Sequence, residues 1–192
     1  MSVKLEDFSL GKKVVEKGSL QKLGIVGCGS MGQEITILVS KAGIDVVFID
    51  MDEASVKEII ANIELRLDEV IKRWGLTGSE KKAIMGRIKG SCNYEDLSDC
   101  EIVIETINSR KPGTNVEDRI EVFKNVEKVV GRDAVIASNT STLMISELAS
   151  VLDVPERSIG LHFISPVEDI SIIEVVQGVR TNNDTMDMVT KF

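Results

Sequence analysis

Short apolar runs alternate along the chain with segments in which apolar residues recur at helical spacing. The runs predict strands at residues 23–26, 44–49, 101–104, 134–137, 159–163 and 170–176, and the run at 44–49 reads as a buried parallel strand. Between the first two runs, Ile35, Leu38 and Val39 have helical spacing, and residues 116–130 and 144–152 also read as helices. The alternation predicts an α/β fold with a mostly parallel sheet.

Two segments depart from this simple alternation. Residues 52–89 are long, charged and helical in period, with an interruption at residues 75–78, so we predict an inserted helical hairpin that projects from the sheet. Its apolar face comprises Ile59, Ile60, Ile63, Leu67, Val70 and Ile71. The turn at residues 165–169 is too short for a helical crossover, which predicts an antiparallel C-terminal strand.

Composition narrows the functional classes. The first 21 residues are polar without a sustained period, so we expect an N-terminal extension before a domain spanning residues 22–192. A net charge of −8, from 23 basic and 31 acidic residues, argues against nucleic-acid binding. No apolar run approaches the roughly 20 residues of a membrane span, and no secretion signal is evident. We therefore expect a cytoplasmic location.

The cysteines disfavour disulfide and metal chemistry. Cys28, Cys92 and Cys100 show no C-x-x-C spacing and no accompanying cluster of histidines, since His162 is the only histidine. We expect neither a disulfide scaffold nor a metal site.

A G-x-G-x-x-G pattern at Gly27, Gly29 and Gly32 directly follows the first predicted strand. In this setting the first glycine makes the tight turn, the second admits a pyrophosphate to the backbone, and the third permits close packing of the following helix. The helix N-terminus offers unpaired N–H groups to phosphate. Ser30 and Met31 share this turn, and we predict that all five residues contact a dinucleotide; an ordinary glycine-rich turn is the alternative.

Asp50 ends the second predicted strand, 18 residues after Gly32, where a carboxylate accepts hydrogen bonds from an adenosine ribose. It would repel a 2′-phosphate, and Met51, Asp52 and Glu53 supply no arginine, so NAD is favoured over NADP. FAD is disfavoured by the short chain and the lack of a second nucleotide motif. Helix capping by Asp50 is the alternative and is compatible with ribose binding.

His162 and Glu174 each interrupt an apolar run and lie 12 residues apart. If the connecting turn folds the two strands together, the side chains face one another across the ladder. A carboxylate beside an imidazole fixes its tautomer and stabilises the imidazolium, as a general base for alcohol oxidation requires. A hydrogen-bonded structural histidine and an exposed edge glutamate are the alternative interpretation.

Residues 138–142, SNTST, gather hydroxyls and an amide after the strand at 134–137. Open α/β sheets bind their ligands at the carboxyl ends of strands. Ser and Thr also cap helices, so capping of the segment that begins near Met144 is the alternative.

Together, GIVGCGSMG, Asp50, SNTST, GLHFISPV and IIEVVQG resemble the L-3-hydroxyacyl-CoA dehydrogenase family, which includes the 3-hydroxybutyryl-CoA dehydrogenases, over about residues 22–192. The resemblance implies a Rossmann-type NAD-binding domain with a helical hairpin inserted after the second strand. It also implies a following all-helical domain, which we expect this chain to lack, and a homodimer formed through that domain. The implied activity is NAD-dependent interconversion of a 3-hydroxyacyl-CoA and a 3-ketoacyl-CoA.

The resemblance assigns roles to particular residues. His162 is expected to be the general base and Glu174 its acidic partner. Ser141 is expected to bind the substrate oxygen, Asn139 to lie beside the nicotinamide, and Thr106 to contact the cofactor.

Two local departures and the chain length qualify these expectations. Ser165 stands where the family usually has the asparagine of HFFNP, and Arg110 and Lys111 lie in an apparent insertion where the family usually has a glutamate. These two basic side chains would either bind an anionic substrate or lie on the surface of a solvent-exposed turn. An isolated cofactor domain would leave the nicotinamide open to water, so impaired turnover is expected. A dehydrogenase of another 3-hydroxy acid and a non-catalytic NAD-binding module are the alternatives.

Overall fold

A computed structural model describes residues 20–108, 115–170 and 172–192. In this part of the chain the strands are β1 Lys22–Val26, β2 Asp45–Ile49, β3 Ile88–Ser91, β4 Ile102–Glu105, β5 Val135–Ser138, β6 Ser158–Phe163 and β7 Ile173–Gln177. The helices are α1 Ser30–Lys41, α2 Glu53–Lys72, α3 Gly78–Met85, α4 Asn115–Val129, α5 Ile145–Ala149 and α6 Asn183–Lys191.

The strands form one sheet in the order β3-β2-β1-β4-β5-β6-β7. All neighbouring pairs are parallel except β6 and β7, which are antiparallel. The predicted α/β Rossmann-type fold with an antiparallel C-terminal strand is therefore confirmed. The strand order reverses between β1 and β4, and open α/β sheets bind ligands in the crevice at the carboxyl ends of such strands.

Apolar side chains cover both faces of the central strands β1, β2, β4, β5 and β6, as expected for parallel strands flanked by helices, whereas the edge strand β7 is largely exposed. On one face Ile35 of α1 and Ile63 of α2 pack in a cluster with residues of β1 and β2. On the other face Phe123 of α4 and Leu148 of α5 pack with Val103 of β4. Burial of both faces fixes the sheet as a rigid base for the loops at its carboxyl end.

The predicted helical hairpin is present but shorter than the interval 52–89. Its second helix ends at Met85, and residues 88–91 form the edge strand β3, which the helical assignment missed. Gly90 allows this pairing, because a Cβ there would lie 2.5 Å from Phe48 Cζ and Val56 Cγ1. The first helix buries Ile63 and Leu67 completely, so it packs on the domain and does not simply project from the sheet.

The two ends of the chain also differ in part from expectation. The polar N-terminal extension lies outside the described residues except for Leu20 and Gln21. Helix α6 was not predicted; the Asn182 side chain caps it by accepting a 2.8 Å hydrogen bond from Thr185 N, and Val189 anchors it. No helix in the described ranges combines the length and the apolar character needed to cross a membrane.

Candidate active site

The glycine turn between β1 and α1 has the geometry that its pattern predicts. Gly27 has φ +84°, and its N–H donates to Ile49 O at 2.9 Å. A Cβ at this residue would lie 2.5 Å from Ile107 Cγ2, so both conformation and space require glycine. A Cβ at Gly32 would lie 2.8 Å from Gly27 O, so the third glycine lets the helix pack closely on the turn.

The start of α1 is open to an anionic ligand. Gly29 is the N-cap residue and provides no side-chain cap, and the first turn of α1 contains no acidic residue. A Cβ at Gly29 would meet nothing within 4 Å, and Ser30 is exposed. Met31 is half-buried beside the turn. The unpaired N–H groups and the positive end of the helix dipole therefore face open space, as a bound phosphate requires.

Asp50 is anchored against this turn. Its Oδ2 accepts a 2.9 Å hydrogen bond from Cys28 N, and its Oδ1 accepts one of the same length from Met51 N. Each carboxylate oxygen has a second lone pair for another donor. The carboxylate is thus fixed next to the glycine turn with capacity left for two ribose hydroxyls.

Thr106 lies behind the turn and is buried. Its hydroxyl donates to Gly27 O at 2.5 Å, and its N–H donates to Val26 O at 2.8 Å. Of the predicted cofactor residues, Thr106 therefore supports the backbone of the turn and lies away from its open side.

The SNTST segment divides between supporting and accessible residues. Thr140 is buried, and its hydroxyl accepts hydrogen bonds from Thr142 N at 3.3 Å and Leu143 N at 3.2 Å, so it stabilises the turn that follows β5. It does not cap α5, whose N-cap residue is Met144 without a side-chain cap. Ser141 is exposed. Asn139 uses its Oδ1 to accept from Phe163 N at 2.8 Å, so its NH₂ group is the part left for a ligand.

His162 and Glu174 are direct partners in the β6–β7 ladder. His162 Nδ1 lies 2.6 Å from Glu174 Oε2, and the side chains are 25% and 59% exposed, so both remain accessible. If Nδ1 carries the proton donated to the carboxylate, Nε2 has a free lone pair. The arrangement can accept a proton at Nε2 and stabilise the resulting imidazolium.

Comparison with known proteins bears on this constellation directly. Residues 22–192 match the family described as 3-hydroxyacyl-CoA dehydrogenase, NAD binding domain. The chain belongs to this family. The 3-hydroxybutyryl-CoA dehydrogenase of Bradyrhizobium diazoefficiens is 32% identical over 173 residues, which is 90% of this chain and 57% of that protein. The corresponding enzyme of Clostridioides difficile is 30% identical, covering 88% of this chain and 58% of the relative.

Solved structures agree with the sequence comparison. The crystal structure of (S)-3-hydroxybutyryl-CoA dehydrogenase from Ralstonia eutropha is 35% identical with a TM-score of 0.84, covering 90% of this chain and 59% of that one. Mycobacterium tuberculosis FadB2 is 29% identical with a TM-score of 0.86, covering 91% and 60%. The chain spans about three fifths of the length of these relatives.

The family uses NAD, and the residues described here fit that cofactor. The open backbone at Gly29 and the uncapped start of α1 would take the pyrophosphate, and Asp50 would take the adenosine ribose. Among the described residues the donors to Asp50 are the backbone N–H groups of Cys28 and Met51, and no arginine of this part of the chain bonds to it. The described part of the site therefore suits a ribose without a 2′-phosphate.

Sequence reasoning missed Glu34, which holds the turn after His162. Both oxygens of its carboxylate accept from Ser165 Oγ at 3.1 Å, and Oε2 also accepts from Val167 N at 2.9 Å. Arg66 Nη1 lies 3.8 Å from the same carboxylate. Ser165 is therefore bonded to α1, across 131 residues of sequence.

Sequence reasoning also missed Glu105 and Arg119, a buried ion pair under the crevice. The only signal was a glutamate at the end of an apolar strand, because its partner lies 14 residues away in an amphipathic helix.

Three further expectations concern two basic residues, a cysteine and metal binding. Arg110 and Lys111 lie outside the described residues. Cys28 is buried beneath the glycine turn, and burial raises the pKa of its thiol to about 12, so it is not a nucleophile here. Among the described residues no cluster of three His, Cys, Asp or Glu side chains is placed to hold a metal ion.

Proposed function

We propose that the gene product containing this chain interconverts a 3-hydroxyacyl-CoA and a 3-ketoacyl-CoA by hydride transfer with NAD. The 2.6 Å contact between His162 Nδ1 and Glu174 Oε2 carries the proposal, because it prepares Nε2 as a proton acceptor at the carboxyl end of the sheet. The names of the relatives point to the same chemistry.

In the oxidative direction, Nε2 of His162 takes the proton of the 3-hydroxyl group, the C3 hydrogen leaves with its electron pair, and the C3–O bond becomes a carbonyl. NAD, when bound, supplies the acceptor for that hydride. Glu174 keeps the imidazole in the required tautomer and stabilises its cationic form. In this proposal Ser141 donates to the substrate oxygen, and the NH₂ group of Asn139 lies beside the nicotinamide.

The test is reduction of acetoacetyl-CoA by NADH, measured with the gene product that carries these 192 residues. His162→Gln should lower kcat by about 10²–10⁴-fold, because it removes the proton-transfer group, while the Kd for NADH stays unchanged. Glu174→Gln should lower kcat less, since it keeps a hydrogen-bond partner at Nδ1.

Two results would refute this proposal. Undiminished turnover by His162→Gln would remove His162 from the mechanism. Tight NADH binding with no turnover of acetoacetyl-CoA or of other 3-keto acids and thioesters would favour a non-catalytic NAD-binding module.

We also propose a homodimeric parent protein with a following helical domain, located in the cytoplasm. The greater length of the relatives supports the further domain, and the resemblance to the family is the ground for the dimer and the location. The gene sequence beyond Phe192 and the molecular mass of its product in solution would test the domain and the dimer.

A further inference from the structure

We propose that the buried Glu105–Arg119 ion pair is a positioning device for NAD, which joins the loops of the cofactor crevice before the cofactor arrives. It rests on NAD binding by this domain and does not depend on which 3-hydroxy substrate is used. Glu105 ends β4 and is 1% exposed, and the Arg119 side chain on α4 is 13% exposed.

The pair clamps the backbone that follows β4. Arg119 Nη1 bonds both carboxylate oxygens of Glu105, and Nη2 donates to Ile107 O at 2.8 Å. Ile107 N in turn donates to Glu105 Oε1 at 2.7 Å. Both backbone polar groups of Ile107 are therefore held by one ion pair.

The clamped segment is the wall against which the glycine turn packs. The Cα of Ile107 would lie 2.8 Å from a Cβ built at Gly27, which shows how closely the two backbones approach. The neighbouring Thr106 donates its hydroxyl to Gly27 O at 2.5 Å. Movement of residues 106–107 would therefore move the turn that would hold the pyrophosphate.

The same carboxylate reaches toward the catalytic strand. Ser138 Oγ donates to Glu105 Oε2 at 2.6 Å and accepts from Thr140 N at 3.2 Å. Asn139 N donates to the backbone O of Glu105 at 2.9 Å, and Asn139 Oδ1 accepts from Phe163 N, the residue after His162. Glu105 thus connects the ends of β1, β4, β5 and β6.

Stability alone does not account for such a pair. Replacing a buried ion pair by apolar side chains is often neutral or stabilising, because desolvation offsets the attraction. A loop held in its bound geometry before binding lowers the ordering cost that the ligand would otherwise pay. The position of this pair beneath the crevice therefore favours a gain in NAD affinity.

A second buried pair, Arg157–Glu127, provides a matched control. Its side chains are 5% and 15% exposed, Arg157 Nη1 donates to Gly131 O at 2.6 Å, and Nη2 lies 3.2 Å from Glu127 Oε1. Each arginine also has a buried Nε without a hydrogen-bond partner in the described structure. The control pair lies at the opposite, amino end of β5 and β6.

The experiment compares Arg119→Lys with Arg157→Lys in this chain. Each substitution keeps the positive charge but removes the planar guanidinium, which donates to a carboxylate and to a backbone carbonyl at the same time. Both should lower Tm. Only Arg119→Lys should raise the Kd for NADH, by about tenfold, measured by fluorescence titration at a temperature where both variants are folded.

Ser138→Ala is the second variant, because it removes one donor to Glu105 and leaves the ion pair in place. It should raise the Kd for NADH by about threefold, or about 0.7 kcal/mol. Unchanged NADH affinity in either site variant, or an equal loss in Arg157→Lys, would overturn the proposal. Failure of the unmodified chain to bind NADH would instead contradict its cofactor assignment.

Discussion

The two ends of the parallel sheet use carboxylates in the same way but differ in what lies beside them. At the amino end, Glu101 accepts from Gln21 N at 2.6 Å, and Glu127 accepts from Asp153 N at 2.9 Å. At the carboxyl end, Asp50 and Glu34 likewise accept backbone N–H groups. Carboxylates that fasten loops are therefore a general device in this fold and do not by themselves indicate a site.

The difference lies in access. Beside Asp50 the backbone at Gly29 faces open space. Glu105 bonds to Ser138 and Asn139, which lie next to the exposed Ser141 and, through Phe163, to the partly exposed His162. At the amino end the corresponding hydrogen bonds join Arg157, which is buried, to Glu127 and to the backbone O of Gly131. Polar networks mark a functional site here only where they end in groups that a ligand can reach.

Alanine substitution of one glycine at each end of the sheet should give the largest difference in stability and in NADH affinity. Gly27→Ala should lower the free energy of unfolding by about 2–5 kcal/mol, because positive φ costs about 1–2 kcal/mol and overpacking against Ile107 about 1–3 kcal/mol. NADH binding should be lost with it. Gly131→Ala meets no atom within 4 Å and should change stability by less than about 0.5 kcal/mol. Urea denaturation and NADH titration measure both, and equal NADH affinity in the two variants would contradict the contrast.

A smaller effect is expected from neutralising one acid at each end. Asp50→Asn should weaken NADH binding by about tenfold, since it removes charge-assisted hydrogen bonds to the ribose. It should weaken NADPH binding less, because repulsion of the 2′-phosphate is relieved. The control Asp99→Asn should leave both affinities unchanged. An unaltered ratio of NADH to NADPH affinity in Asp50→Asn would remove Asp50 from cofactor selection.

The smallest effect concerns acid stability at the amino end. The hydrogen bond and charge of Lys22, 2.6 Å away, hold the pKa of Asp99 below its ordinary value of 3.8. The ionised form therefore stabilises the fold above about pH 3.8, and this contribution is lost as the pH falls through the lowered pKa. Asp99 is 69% exposed, so the contribution should be below about 1 kcal/mol.

Denaturant unfolding of Asp99→Asn at neutral pH and at about pH 3 measures that contribution. The variant should be less stable than the parent at neutral pH and closer to it in acid. A constant difference at both pH values would show that the ion pair is not its source.

The fold was largely predictable because buried strands and helix faces require apolar residues at regular positions in the sequence. Strands β1, β2 and β4 are covered on both faces and therefore read as continuous apolar runs. Strand β3 was missed because its sequence, IKGS, is short and contains Lys89 and Gly90. Helix α6 is mostly polar, and much of its surface faces solvent.

The site was predictable where chemistry follows local spacing. The glycine turn, Asp50 and the facing of His162 and Glu174 depend on short intervals or on one tight connection. Glu34 and Arg119 were not predicted, because their contacts depend on how helices pack over the sheet. Sequence periodicity shows which face of a helix is buried, but it does not show which polar side chains or backbone groups of other elements that face contacts.

A crystal structure of this chain with NADH would show directly whether the glycine turn, Asp50 and His162 serve one bound cofactor. We expect the pyrophosphate over Gly29 at the start of α1, the adenosine ribose on Asp50, and the nicotinamide beside Asn139 within reach of a substrate bound at His162. A dinucleotide bound away from the glycine turn, or a nicotinamide on the far side of the sheet from His162, would contradict the account.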